Sequence, residues 1–239
     1  MQAINKTSAF ILGIFIFFGL SVLGYLLSTA AIEFKQYDRS VTVKGLSERE
    51  YPADIVIWPI EFTLADNDLE RLYQRIDQDT HSIKSFLESN HIMSDEISYS
   101  SPSINDKTAQ QYGGGPAPQY RYSAVQTVTV YSKNIAAVRN VMNQLSTLGK
   151  QGIVFTGGGY QYQTEYIFTR LNEVKPEMIE EATRKAREVA EKFAIDSEST
   201  LGKIKRASQG QFSITARDKN NPHIKRVRVV STVQYYLSD

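Results

Sequence analysis

The stretch VTVKGLSEREYPADIVIWPIEF, residues 41–62, sets the strand pattern from which the fold can be predicted. β-Branched and polar residues alternate over residues 40–49, which is typical of a half-buried strand. A turn at residues 51–54 then leads into a second strand over residues 55–65. Pro59 lies inside that second strand and cannot donate a ladder hydrogen bond, so we expect a sheet edge or a bulge at this position.

A helix and two further strands are predicted next. The helix begins at a cap, Asp66 or Asn67, and ends near Asn90, because apolar residues recur at helical spacing, namely Leu69, Leu72, Ile76, Ile83, Phe86 and Leu87. The strands cover residues 96–105 and 120–132. The segment between them is rich in glycine, proline and polar residues, which predicts a flexible loop.

The second half of the chain repeats this scheme. Its predicted elements are a helix over 134–148 ended by Gly149, strand material broken by glycines over 152–169, a helix over 177–195 with Pro176 near its start, and strands over 203–216 and 224–237. The last helix has a narrow apolar stripe made of Met178, Ile179, Ala182, Ala186, Val189, Ala190 and Phe193. Its alanines allow close packing on a sheet. This order predicts an α+β fold, mainly antiparallel sheet packed with about three helices.

An uncharged apolar run precedes these elements at residues 9–32. Spanning a bilayer takes roughly 20 apolar residues, whereas the apolar region of a cleaved signal has about 7 to 15. We therefore expect a retained transmembrane anchor over residues 1–35, with the lipid bilayer as partner, and one domain over 36–239. Cleavage after Ala30 or Ala31 is the alternative. Basic residues flank the run on both sides and do not choose its orientation; we expect the large domain on the extracytoplasmic side of the cell membrane, periplasmic or extracellular.

Composition narrows the function. The chain has no cysteine, which excludes disulfides, thiolate metal sites and cysteine nucleophiles. Lys plus Arg total 27 and Asp plus Glu total 26, a formal net charge of +1. Without a basic excess there is no general field to attract nucleic acid, so we expect no nucleic-acid partner.

Two motifs carry a resemblance to a known family. The Val-x-Val-x-Gly strand and Pro-Ala-Asp turn of residues 41–62 are similar to the opening of the SIMPL-domain family. Residues 180–194, EEATRKAREVAEKFA, and LGKI at 201–204 resemble its alanine-spaced helix and the strand that follows; this chain inserts IDSES between them. The resemblance covers about residues 40–238. It implies an exported or membrane-anchored protein of a largely uncharacterised family, some members of which form large homo-oligomeric rings.

The usual catalytic and cofactor motifs are missing from the sequence. His81, His91 and His223 show no metal-ligand spacing and are expected to face solvent. There is no Gly-x-Ser-x-Gly elbow, although a Ser-His-Asp triad could still assemble in space. The glycine triplets at 113–115 and 157–159 lack the lysine or the following helix of a phosphate loop. We therefore expect no catalytic residue, no metal, no cofactor and no enzymatic activity.

Tyrosines beside the glycine triplets form the candidate site. Tyrosine is enriched at protein interfaces because its ring buries area while its hydroxyl keeps a hydrogen bond. Sheet packing is the plainer interpretation. The candidate subunit or ligand interface comprises Tyr112, Gly113, Gly114, Gly115, Tyr120, Tyr122, Tyr160, Tyr162 and Tyr166. The loop over 110–119 is expected at a subunit contact.

The expected function is a membrane-anchored scaffolding or envelope-associated protein that assembles with itself as a homo-oligomer. Tethering supports this expectation because it confines subunits to a plane and raises their effective concentration. A small-molecule or peptide-binding module is the alternative, followed by a hydrolase.

Overall fold

A computed structural model of the chain describes residues 6–37, 39–109, 118–156 and 163–238, with side chains in the N-terminal helix for residues 10–31. In chain order the helices and strands are α1 (Lys6–Tyr37), β1 (Ser40–Pro52), β2 (Ile55–Asp66), α2 (Leu69–Ser89), a 3-10 turn (Ser94–Glu96), β3 (Ile97–Tyr99), β4 (Ser103–Asp106), β5 (Tyr122–Ser132), α3 (Ile135–Gln144), α4 (Ser146–Gly149), β6 (Val154–Phe155), β7 (Glu165–Ile167), α5 (Leu171–Asp196), β8 (Thr200–Gln209), β9 (Ser213–Ala216) and β10 (Ile224–Ser238). The predicted α+β class with antiparallel sheet is confirmed.

The chain divides into two compact units. The central unit comprises Arg49–Val174 and Ser213–Val227. The terminal unit comprises Met1–Glu48, Lys175–Phe212 and Arg228–Asp239. A single domain over 36–239 therefore stays a prediction.

The terminal unit begins with the apolar helix α1. Over Phe10–Ala31, 22 residues, the mean hydropathy is 2.5 and no residue is buried. At about 1.5 Å per residue this span is roughly 33 Å long, enough for a hydrocarbon core of about 30 Å. By length and composition α1 can cross a membrane.

The rest of the terminal unit is a sheet with α5 on one face. The sheet order is β1–β10–β8, and β8 is a terminal strand with no further described neighbour. From α5 a stripe with a spacing of four is buried: Met178, Ala182, Ala186, Ala190 and Ala194. The predicted members Val189 and Phe193 are instead 38% and 55% exposed. Helical spacing alone did not separate them from the alanines that contact the sheet.

Gly45 on β1 is where α5 comes closest to the sheet. A Cβ built on Gly45 would lie 1.8 Å from the Ala182 carbonyl oxygen and 2.5 Å from the Ala186 nitrogen, both backbone atoms of α5. Real Cβ atoms do not approach within 3.0 Å. The glycine of the Val-x-Val-x-Gly strand is therefore required by direct contact between helix and strand backbones.

The central unit is a sheet with helices on one face. Its strand order is β3–β5–β2–β6, with β4 also paired to β5 and β7 to β2. Alternate residues of β2 and β5 are buried against α2, α3 and α4, among them Val56, Trp58, Ile60, Phe62, Val128 and Val130. Asp68 caps α2 by accepting a hydrogen bond from the Arg71 nitrogen, one or two residues after the predicted caps.

Pro59 occupies a local edge, as predicted. On one side of β2 the pairing with β5 runs without a register shift through Pro59 and Thr129, so there is no bulge. On the other side β6 pairs with Phe62 and Thr63 and β7 pairs with residues 55–57, so no described strand pairs with Pro59 there. The missing N–H therefore costs no described ladder bond.

Candidate functional site

The face of the central sheet that points away from the helices, which we name the outer face, is nearly free of charge. Its residues on β2 and β5 are Ile57, Pro59, Glu61, Thr63, Ala65, Ser123, Val125, Thr127, Thr129 and Tyr131, as the register and burial alternation show. Glu61 is the single charged residue among these ten, and its carboxylate accepts a hydrogen bond from the Thr156 hydroxyl. Glu165 of β7, which pairs with Ile57, adds a second carboxylate to this face. Tyr131 is 48% exposed. A solvated sheet face usually carries charged side chains, so this composition is typical of a surface that contacts another molecule.

A groove of about 520 Å³ crosses the outer face. Its floor is apolar and comes from Ile57, Pro59 and Val125, and its remaining lining is Ser100, Ser101, Ser103, Thr127, Thr129, Gln163 and Glu165. The wall between β3 and β4 is fixed by Ser100, whose N–H donates to the Thr127 carbonyl at 3.0 Å and whose hydroxyl accepts from the Thr127 N–H at 3.0 Å. From the buried face, Gln126 Nε2 donates to the Ser100 carbonyl at 2.9 Å.

The groove offers neutral hydrogen-bonding groups. The hydroxyls of Ser101, Ser103, Thr127 and Thr129 have no side-chain hydrogen bond among the described residues, and each can donate or accept. Among the described residues of the lining, Glu165 is the one charged group. The described part of the chain contains no group of three or more His, Asp or Glu residues able to hold a metal ion. The groove is therefore suited to polar backbone or hydroxyl groups and to apolar surface.

The predicted tyrosine site is not a single cluster in the described residues. Tyr112, Gly113, Gly114, Gly115, Tyr160 and Tyr162 lie outside them. Tyr122 pairs with Asp66 and Tyr166 pairs with Val56, ten residues apart on β2. At about 3.3 Å per residue these two tyrosines are roughly 33 Å apart along the strand. Both pack against the core of the central unit.

Tyr122 and Tyr166 have different surroundings. Arg121 lies 4.8 Å over the Tyr122 ring, and its guanidinium pairs with Asp106 at 2.9 Å. Tyr166 donates to Met142 Sδ at 3.9 Å, and burial raises the pKa of its hydroxyl. Tyr120, before β5, is 42% exposed. Of the three predicted-site tyrosines that the structure describes, Tyr120 is the most exposed.

His223 is partly buried, so the prediction that it faces solvent is wrong. Its Nε2 accepts from Arg139 Nη1 at 3.0 Å, and its Nδ1 is buried with no partner among the described atoms. The Tyr166 ring lies 6.0 Å away. Burial, and then the positive charges of Arg139 and Arg217, lower the pKa of His223. His81 and His91 are exposed, as expected.

The turn that carries His223 is held by long-range and local bonds that the sequence pattern did not reveal. The Ala53 N–H donates to the His223 carbonyl at 2.8 Å. Within the turn, Asp218 accepts from the backbone N–H groups of Asn220 and Asn221 at 2.9 and 2.8 Å. The signal available in the sequence was the Asp-x-Asn-Asn run, which is typical of an ordered Asx-type turn.

The Pro-Ala-Asp turn is also structural. Asp54 accepts from the Thr169 N–H at 2.6 Å and from Arg170 Nε at 2.6 Å, just before α5 begins. Burial opposes ionisation, but the hydrogen bonds from Thr169 and Arg170 outweigh it and lower the pKa of Asp54. The turn thus fastens the end of β7 and the start of α5 to the beginning of β2.

These features define a class of protein: an α+β domain that follows an N-terminal apolar helix. The recognisable sequence motifs of the domain hold its fold together. The model of the SIMPL family, described as a protein of unknown function (DUF541), matches residues 41–234. The chain therefore belongs to the SIMPL family. No curated protein matches it.

Proposed function

We propose that this protein is a non-enzymatic, membrane-anchored assembly protein whose subunits associate through the outer face of the central sheet. Helix α1 is the retained anchor, and the remainder of the chain lies on the extracytoplasmic side. The observation that carries this proposal is the near absence of charge on the outer face, with one carboxylate among ten side chains of β2 and β5. Charged residues are depleted at the centre of protein interfaces.

The size of the outer face fits a subunit contact. The β2–β5 ladder has 11 residue pairs, so at about 3.3 Å per residue it is roughly 36 Å long. Three strand spacings of about 4.8 Å make the sheet roughly 14 Å wide, giving a flat area of about 500 Å². A stable interface buries about 800 Å² per partner, which is of the same order. Anchoring in one plane further favours association by raising the effective concentration.

The groove supports a second candidate, a small-molecule or peptide-binding module. Its volume of about 520 Å³ is within the range of about 300–1,000 Å³ that is typical of ligand sites. The hydroxyls of Thr127 and Thr129, which have no partner among the described residues, could bind the carbonyl groups of such a ligand. Native mass spectrometry of the membrane-extracted protein distinguishes the two, because a ligand adds a fixed small mass and a second subunit adds the mass of the chain.

Lysine substitutions on the outer face test the proposed assembly. T127K/T129K places two charges in the middle of the face, where burial without a partner is unfavourable. We expect the full-length protein, extracted in detergent, to shift from an oligomer to smaller species by mass photometry. S208K is the matched control, because Ser208 is an exposed residue of strand β8 in the terminal unit.

Two results would overturn the assembly proposal. One is a wild-type protein that is monomeric at every concentration tested. The other is a T127K/T129K variant that melts at the wild-type temperature, and is therefore folded, but keeps the wild-type oligomer mass. The anchor is tested separately by the intact mass of membrane-extracted protein: a chain that begins at Ala31 or Ile32 would show cleavage.

A further inference from the structure

At one end of the terminal unit, the ends of β10 and α5 lie near the starts of β1 and β8. The Leu237 N–H donates to the Arg39 carbonyl at 2.9 Å, which places the end of β10 beside the start of β1. The Thr200 hydroxyl donates to the Ser238 carbonyl at 3.1 Å, which adds the start of β8. The Ser199 N–H donates to the Ala194 carbonyl at 2.8 Å in the short turn from α5 to β8, so α5 also ends here. We name this the anchor-proximal end.

The apolar helix is connected to the anchor-proximal end by a short stretch of chain. The uncharged run ends at Ile32, α1 continues to Tyr37, and β1 starts at Ser40. Five helical steps of about 1.5 Å and three extended steps of at most about 3.6 Å give a reach of roughly 18 Å. Whatever the direction of α1, this end of the sheet therefore lies close to the membrane surface if α1 spans it.

Large apolar side chains are exposed at this end. On the last turns of α5, Phe193 is 55% exposed and Ile195 is 74% exposed. Tyr236, two residues before the end of β10, is 39% exposed, and Lys205 Nζ lies 5.2 Å from its ring centre. Aromatic rings and lysine together are typical of the membrane–water interface, where the ring sits at headgroup level and the ammonium stays hydrated.

We propose that the anchor-proximal end is a second membrane contact, in which the last turn of α5 inserts Phe193 and Ile195 into the lipid interface. This inference rests on the proposed retention of α1 as an anchor. The expected depth is that of an interfacial helix, about 5–10 Å into the boundary between headgroups and acyl chains. The partner is a lipid surface in general rather than an anionic one, because charged residues of both signs neighbour Phe193 and Ile195 in the sequence: Lys192 and Lys203 with Asp196 and Glu198.

The absence of cysteine makes the proposal directly testable, because one introduced cysteine is the only labelling site. I195C and Q209C are prepared in the full-length protein, labelled with a polarity-sensitive fluorophore and placed in phosphatidylcholine nanodiscs. Gln209 is the matched control, since it is exposed at the opposite end of β8. Quenching by nitroxide on the lipid acyl chain is compared with quenching by aqueous iodide.

The expected result is several-fold stronger lipid quenching at residue 195 than at residue 209, the reverse order for iodide, and no change when phosphatidylglycerol is added. A residue-195 label as open to iodide as the control label would overturn the proposal. So would lipid quenching that appears only with phosphatidylglycerol. The intact mass of the same sample reports on the anchor, so loss of α1 and failure of the lipid contact are separate results.

Discussion

Replacement of Gly45 by alanine tests the helix–sheet contact of the terminal unit. The added Cβ would lie 1.8 Å from the Ala182 carbonyl oxygen, so α5 or β1 must move by about 1.5 Å to restore a normal contact. A gap of only 0.5–1 Å already forfeits about a quarter to a half of a dispersion contact. The shift therefore loosens the whole alanine stripe along α5.

The cost of G45A should reach the upper part of the range for overpacking, about 3 kcal/mol. For a chain of this size 1 kcal/mol corresponds to about 2–4 °C, so we expect Tm to fall by about 6–12 °C. The measurement is thermal unfolding of the detergent-extracted full-length protein by circular dichroism. Hydrogen exchange of the amides of β1 and α5 shows whether the loss is local to this contact.

Two controls make the test of Gly45 specific. G149A adds a methyl group where nothing lies within 4 Å, and it should leave Tm unchanged or raise it slightly. G45A/A182G should not recover stability, because the clash is with the backbone of Ala182 and not with its side chain. A wild-type Tm for G45A, or recovery in the double variant, would refute the reasoning.

Two further predictions concern titrating groups of the central unit. His223 has a lowered pKa in the folded protein, so below about pH 6.5 the unfolded chain binds more protons than the folded chain, and stability should fall as the pH drops. H223Q keeps an acceptor for Arg139 but cannot take up a proton. In this variant the fall of Tm between about pH 7.5 and pH 5 should be smaller than in the wild type. If Tm of H223Q changed with pH as much as Tm of the wild type, a group other than His223 would be responsible for the pH dependence. D54N should cost about 1.5–3 kcal/mol at pH 7 by weakening the bonds from Thr169 and Arg170. Because the pKa of Asp54 is lowered, its stabilising effect is present above about pH 3.8 and is lost as the pH falls through the folded-state pKa. The stabilities of the wild type and D54N should therefore converge in acid. A difference in stability that stays constant with pH would contradict this.

Local sequence patterns predicted most elements of the fold. The alternation over residues 40–49 and 55–65 corresponds to β1 and β2, and the apolar spacing of α2 correctly marks Leu72 and Ile76 as buried. These predictions succeed because period and burial are properties of a short window. Residues 96–105 were predicted as one strand but form β3 and β4, separated where Ser100 bonds to Thr127. That bond depends on a strand far away in the sequence.

The site was less predictable because its features depend on contacts between distant segments. His223 was expected in solvent, but Ala53 and Arg139 bind the turn that carries it. Tyr122 and Tyr166 were grouped because they neighbour glycines in the sequence, whereas the register of β2 separates them. The low charge of the outer face could be recognised only once the pairing of β2 with β5 showed which alternate residues share a side.

Strand β8 pairs with β10 on one side and with no described strand on the other, and the side chains of β8 bear on whether two copies of the chain could join there. Two such edges joined strand to strand would lie about 4.8 Å apart. Each carries Lys203, Lys205 and Arg206, so joining them would bring rows of like charge together. Lysines on an edge strand are a common defence against this kind of pairing and against fibre formation. Strand-to-strand joining of two copies is therefore disfavoured at this edge.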